Sequence, residues 1–210
     1  MENLSIIGGG GHAAACLGNL LDLNIIPVGF YDDNPKTELL GIKRLGNLED
    51  AYLSTNRNMV IGIGDLDYGR FRTTVIDKLV KSNINIIGFC SRSVICQSKE
   101  MELAGLQIFP FSFIGFGVRI GQYSVLNTRC TLEHESEIGS NVILGPNSLI
   151  CGKAKVGDRT IIGASATILP KVQIGPGNII GAQSLVRENI LGSGKIYAGI
   201  PAREIGSFPI

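Results

Sequence analysis

The chain has no tryptophan, and aromatic residues fill only 6% of its 210 positions. A broad aromatic core is therefore excluded, and the interior has to be built from aliphatic side chains. Charged residues are also sparse, at 18%, and they nearly cancel to a formal net charge of +1. Nucleic-acid binders concentrate positive charge to neutralise phosphates, so no nucleic-acid partner is expected. No block of like charges marks an interaction tail. No apolar run reaches the ~18 residues that a membrane-spanning helix requires. The opening Met1-Glu2-Asn3-Leu4 lacks the basic segment and long apolar stretch of a secretory signal. The expectation is a cytoplasmic protein with no membrane span. Histidine occurs only twice, at His12 and His134. The five cysteines, Cys16, Cys90, Cys96, Cys130 and Cys151, show no CxxC or histidine-rich spacing. They read as reduced, mostly buried thiols, and no metal site is expected.

What the chain has in abundance is glycine, at 28 residues. The first ~90 residues alternate strand and helix signals, which implies a parallel sheet with crossovers. Leu4–Ile7 is a short apolar run that ends in Gly8-Gly9-Gly10-Gly11-His12, and helix-compatible sequence follows from Ala13 to about Asp22. Further strands are expected over Pro27–Tyr31, ending at Asp32-Asp33, over Met59–Ile63, ending at Gly64-Asp65, and over Ile84–Phe89. Between the last two, Phe71, Val75, Ile76, Leu79 and Val80 fall at helical spacing from Asp67 to Lys81, with Arg70, Arg72, Lys78 and Lys81 on the other face.

From Ile108 the texture changes. An aliphatic residue recurs every six positions, at Ile108, Ile114, Ile120, Leu126, Leu132, Ile138, Leu144, Ile150, Val156, Ile162, Ile168, Ile174, Ile180 and Val186. A small residue follows four positions later in nearly every unit, as at Ser112, Ser124, Cys130, Ser136, Ser148 and Ala154. Glycine often follows the aliphatic residue directly, as at Gly115, Gly121 and Gly139, where it is expected to relax the turn. A strict period of six is the signature of a solenoid in which each unit supplies one short strand and one corner. No long loop interrupts the repeat before Val186. The expected division is residues 1–90 as a Rossmann-like domain, 91–190 as a β-helix, and 191–210 as a terminal cap containing Gly199-Ile200-Pro201-Ala202-Arg203.

Two constellations could carry chemistry. Gly8–His12 follows a strand and opens a helix, the context of a phosphate-cradling turn, although Ala13 stands where a full GxGxxG has its third glycine. Asp32 and Asp33 end the second strand, where a carboxylate often meets a ribose or base. The competing reading is a tight turn with solvated acids. In the repeat, His134 is flanked by Glu133 and Glu135. Histidine suits a general base near neutral pH, and a carboxylate fixes its tautomer. If three hexads make one coil, residues eighteen apart stack, which places Gly152 beside His134. Asn127 takes a slot where glycine is common, and its amide could bond an acceptor or satisfy a corner.

The hexads, Gly8–His12, Asp32-Asp33, Leu126-Asn127-Thr128 leading into Leu132-Glu133-His134-Glu135, and Ala198–Arg203 together resemble one family. It is the hexapeptide-repeat, left-handed β-helix bacterial sugar acyltransferases with an N-terminal Rossmann-like domain. The group includes bacillosamine-type UDP-4-amino-sugar N-acetyltransferases and sialic-acid O-acetyltransferase-type proteins. The resemblance implies the left hand of the helix, acetyl-CoA as co-substrate, and a homotrimer with active sites between subunits. It also implies His134 as base with Glu135 orienting it, and Gly152, Ala164 and Ala182 along the coenzyme. Gly10, Gly11, His12, Asp32 and Asp33, with Asn127, would meet the sugar-nucleotide. The implied reaction is N-acetylation of a UDP-linked 4-amino-deoxysugar; the alternative is O-acetylation of a sugar such as sialic acid. A second histidine that bacillosamine enzymes carry nine residues after the base is Ile143 here. An NAD-dependent oxidoreductase and a nucleotide-sensing scaffold are the rival classes. The first lacks a catalytic centre beyond the glycine loop, and the His134–Glu135 pair speaks against the second.

Overall fold

The computed structural model describes residues 3–64, 69–98 and 104–208, so Asp65 and the expected helix start at Asp67 lie outside the described residues. The chain divides into two compact units, Met1–Phe89 and Cys90–Ile210.

The first unit is a five-stranded parallel sheet in the order β3-β2-β1-β4-β5. The strands are β1 (Leu4–Ile7), β2 (Gly29–Tyr31), β3 (Arg44–Gly46), β4 (Asn58–Ile61) and β5 (Asn85–Ile86). Leu4, Ser5, Ile6 and Ile7 are all buried, as expected of a central parallel strand covered on both faces. Helix α1 (Gly11–Asp22) buries Ala13, Cys16, Leu17 and Leu20, an i, i+3, i+4, i+7 stripe. A second, short helix, α2 (Leu48–Tyr52), starts in a reciprocal cap: the Asn47 side chain accepts from Asp50 N–H, and the Asp50 carboxylate accepts from Asn47 N–H.

Helix α3 (Arg70–Lys81) corrects the sequence reading. Its buried stripe is Arg72, Val75, Ile76 and Leu79, while Phe71 and Val80 are exposed. Arg72 is wholly buried and donates from Nη1 to Ile63 O at 2.6 Å. A guanidinium held by a carbonyl can begin an inward stripe that periodicity in apolar residues alone displaces by one. Burial lowers its pKa to about 10.

The second unit is a left-handed parallel β-helix. Strand partners are eighteen residues apart on all three faces: Arg119↔Glu137, Val125↔Ile143 and Thr131↔Leu149. Each coil thus consumes three hexads. All fourteen hexad aliphatics point inward, none more than 4% exposed. The small residues four positions on are buried as well, and their hydroxyls bond corner carbonyls of the next coil: Ser112 Oγ donates to Asn127 O, Ser124 Oγ to Gly139 O and Thr160 Oγ1 to Gly175 O. Ser136 Oγ is an exception, buried with no partner among the described residues. At the far end Asn178 Nδ2 donates to Gly192 O at 2.6 Å and Oδ1 accepts from Lys195 N, after which Lys195–Ala198 and Arg203–Ser207 form an antiparallel hairpin.

The corner glycines do a different job from the one expected. The positive φ of each corner falls two residues later, as at Asn147 (60°) after Gly145 and Arg159 (57°) after Gly157. A Cβ on Gly145 would sit 2.6 Å from Ala164 N, and one on Gly157 2.6 Å from Pro176 N. Glycine is required there because successive coils stack backbone against backbone. Gly145→Ala is expected to lose about 1–3 kcal/mol of stability, the usual cost of overpacking. A chemical denaturation midpoint equal to that of the parent would contradict this.

The cysteines also differ from expectation. Cys16 and Cys130 are buried, Cys151 is half-buried, and Cys90 and Cys96 are exposed. Burial pushes the Cys16 thiol up to about 12 and that of Cys130 to about 11. Cys90 and Cys96 stand in short strands of the first coil, Phe89–Cys90 and Ile95–Cys96; Cys96 keeps the inward register, opposite Ile114, yet is exposed there.

Candidate functional site

In the first unit, the glycine loop, the end of β2 and the Gly62–Gly64 segment surround a cleft of about 440 Å³. Gly8 takes φ 92° and closes the turn, with its N–H on Tyr31 O. A Cβ on Gly10 or Gly11 would meet nothing within 4 Å, so these two face open space. Gly10 caps α1 without a side-chain hydrogen bond, which leaves first-turn amides of a twelve-residue helix directed at the cleft. His12 lines the same wall, beside Gly64.

The two aspartates part company. Asp32 accepts from Gly9 N at 2.7 Å and, through its other oxygen, from Asn34 N at 2.8 Å and Thr37 Oγ1 at 3.2 Å. Both its oxygens are engaged in shaping the loop. Asp33 is exposed and accepts from Leu48 N at 2.9 Å through Oδ1, at the start of α2. Its Oδ2 has no partner among the described residues.

The second cluster lies on the corner after Thr131–Leu132. His134 Nδ1 is 3.1 Å from Glu135 Oε2, and Lys153 Nζ is 3.5 Å from the same oxygen. The hydrogen bond to His134, then the Lys153 charge, hold the Glu135 carboxyl below its ordinary range. An ionised carboxylate at Nδ1 calls for a proton there, which leaves the lone pair on Nε2. The imidazole lies over the next coil: a Cβ on Gly152 would be 2.5 Å from Nε2. The Gly152 N–H has no hydrogen-bond partner among the described residues. His134, Glu135 and Gly152 thus share one edge of the helix.

Ala164 and Ala182 share another edge. They stack eighteen residues apart, both exposed, on the corner before the face that carries Thr131, Leu149, Thr167 and Leu185. Within one chain that face separates them from His134. Asn127 Nδ2 donates to Leu144 O at 2.8 Å, so one amide N–H satisfies a corner, and Oδ1 and the second N–H remain for a ligand.

The family described as PglD N-terminal domain matches residues 3–79, and that described as bacterial transferase hexapeptide (six repeats) matches residues 135–169 and 153–188. The chain belongs to the hexapeptide-repeat sugar acyltransferases with a PglD-type N-terminal domain. Among solved structures, this acyltransferase is similar to a histidine mutant of perosamine N-acetyltransferase from Caulobacter crescentus in complex with CoA and GDP-perosamine. Identity is 25%, the TM-score is 0.90, and the match covers 99% of this chain and 98% of that one. The acetyltransferase domain of PglB from Neisseria gonorrhoeae shares the fold at 18% identity and TM-score 0.89, covering 98% of this chain and 100% of that one. WeeI from Acinetobacter baumannii does so at 20% and 0.85, covering 97% and 99%. A search of curated protein sequences gives no match. No helix among the described residues of the acyltransferase is long and apolar enough to cross a membrane.

One residue of the His134 edge escaped the sequence reading. Lys153 is eighteen positions beyond Glu135, the same offset that led from His134 to Gly152, so the signal was present in the register. Ile143 is 9% exposed in the ladder Val125–Ile143–Ile161, an apolar position that offers no hydrogen bond to a carbonyl.

Proposed function

We propose that this acyltransferase moves an acetyl group from acetyl-CoA to the 4-amino group of a UDP-linked amino-deoxysugar, with His134 as general base. The reading is carried by the His134–Glu135–Gly152 edge: a base with an oriented tautomer, lying against an unpartnered backbone donor. The amine nitrogen attacks the thioester carbonyl, and His134 Nε2 takes the proton that the nitrogen sheds. The oxygen of the tetrahedral intermediate gains negative charge, and the Gly152 N–H is its donor. The C–S bond then breaks, and the departing thiolate recovers a proton from the imidazolium. Ile143 adds no donor, so oxyanion stabilisation rests on backbone amides. No step calls for a metal. The perosamine relative, solved with CoA and a nucleotide-linked amino sugar, supports this substrate class.

The cleft of the first unit is the sugar-nucleotide site. Gly10, Gly11 and the first turn of α1 receive phosphate, Asp33 Oδ2 receives a hydroxyl or base, and Asp32 holds the loop that presents them. Asp33→Ala should raise KM for the sugar-nucleotide far more than KM for acetyl-CoA, whereas equal changes would remove this role. Asp33→Asn serves as the companion variant, since an amide oxygen can keep the bond to Leu48 N while the charge is lost.

Ala164 and Ala182 line the pantetheine arm, and Asn127 Oδ1 meets the acceptor. The two edges of one chain are separated by a face, so the working site joins the His134 edge of one copy to the Ala164–Ala182 edge of another. A homotrimer closes this arrangement. Light scattering should give about three times the 22.4 kDa chain mass; an active 22.4 kDa monomer would overturn it. The function itself is tested by thiol release from acetyl-CoA with UDP- and GDP-linked amino sugars and with sialic acid. Turnover of sialic acid alone would replace N-transfer by O-transfer.

A further inference from the structure

We propose that Lys153 is a positioning residue for the base: by sharing the Glu135 carboxylate with His134, it keeps the imidazole unprotonated, and so able to accept a proton, at lower pH than the His134–Glu135 pair alone would. The inference rests on the reading of His134 as general base. Its geometry is independent of that reading. The Glu135 Oε2 atom lies 3.1 Å from His134 Nδ1 and 3.5 Å from Lys153 Nζ, so one oxygen serves both partners. The arrangement is set by the coil register. Glu135 and Lys153 occupy the same corner position on adjacent coils, both with left-handed backbone, and Lys153 N–H donates to His134 O at 3.0 Å.

A carboxylate beside an imidazole favours the imidazolium. Left alone, Glu135 would stabilise the imidazolium and remove the base from service as pH falls. A cation on the same oxygen offsets part of that field while leaving the carboxylate ionised to orient Nδ1–H. Among the described residues, other charged or titratable groups stand on the coils around His134. Glu133 and Glu137 lie on its own coil, Cys151 and Lys155 on the next, Arg119 on the one before, and Lys171 on the one beyond. Glu137 is paired with Lys155 at 3.0 Å and Arg119 at 3.7 Å. Burial, then the charge of Glu133, pushes the Cys151 thiol up, so it stays neutral. Among the described residues Lys153 is the cation within ion-pair reach of Glu135.

The test is the acidic limb of kcat/KM against pH, measured on the purified enzyme with acetyl-CoA and its best acceptor. Lys153→Met should move that limb up by about 0.3–0.5 pH unit, the effect of removing one charge at this range in a solvated site. Lys153→Arg should restore it. Glu135→Gln should move it the opposite way, because it deletes the charge that favours imidazolium. The Lys153→Met displacement should shrink in 0.5 M salt, since both side chains are about half exposed. Lys153→Asn, which tolerates the left-handed backbone, replaces the methionine variant should that fail to fold. An unmoved limb, or an arginine variant that behaves like methionine, overturns the inference. Persistence of the limb in His134→Ala would instead remove the base assignment beneath it, so the two failures are distinguishable.

Discussion

Replacing His134 with alanine is expected to lower kcat by ~10²–10⁴-fold while leaving acetyl-CoA affinity nearly unchanged, the usual range for loss of a general base. The side chain is 59% exposed and, among the described residues, its polar side-chain partner is Glu135, so the variant should fold and assemble like the parent. The kcat/KM profile should also lose its acidic limb. Glu135 cannot supply that limb, because its carboxyl is held below the ordinary carboxylate range and stays ionised while an imidazole titrates. Steady-state kinetics between pH 5 and 9 check both points. Near-normal turnover in a folded His134→Ala protein would leave His12 as the remaining histidine and would move the chemistry into the first unit.

Gly152→Ala should come close to the same loss for a different reason. The added Cβ would stand 2.5 Å from His134 Nε2, 2.7 Å from Cε1 and 3.0 Å from Cδ2, so its three nearest neighbours are all ring atoms. Those atoms belong to the far end of an exposed side chain, which can swing away without disturbing the coil. Stability should therefore hardly change, whereas displacing the imidazole by about an ångström can cost ~10²-fold in turnover. The same glycine-to-alanine change at Gly145 has the opposite signature, because there the obstacle is backbone. Thermal melting and single-turnover kinetics on the two variants separate the roles. A Gly152→Ala enzyme with full activity would show that the ring does not need its place over the next coil.

Much of this was legible in the sequence because a solenoid writes its geometry as a period. The hexads mark the inward ladder from Ile108 to Val186, and the eighteen-residue offset alone places Gly152 against His134. The period says less about what stands outside the ladder. Arg44–Gly46 and Leu48–Tyr52 are too short for periodicity to register, although the Asn47…Asp50 cap was there to be read. Charge normally marks the outer face of a helix, which places Arg72 in solvent, but its guanidinium is buried and bonded to Ile63 O. Asp32 and Asp33 look equivalent as a pair of letters. Only the fold shows that Gly9, Asn34 and Thr37 occupy the first and leave one oxygen of the second open.

The coil register also bears on how the length of this protein can change. Each coil bonds only to its neighbours, at a fixed offset of eighteen residues. A single residue inserted between Glu135 and Cys151 would carry every later side chain one step around the prism, turning inward aliphatics outward and taking Gly152 from beneath the imidazole. A whole eighteen-residue block inserted after Ile168 would leave His134, Glu135, Gly152 and Lys153 where they stand and merely lengthen the face. Length in this half of the chain is quantised, and the chemistry sits within a single quantum.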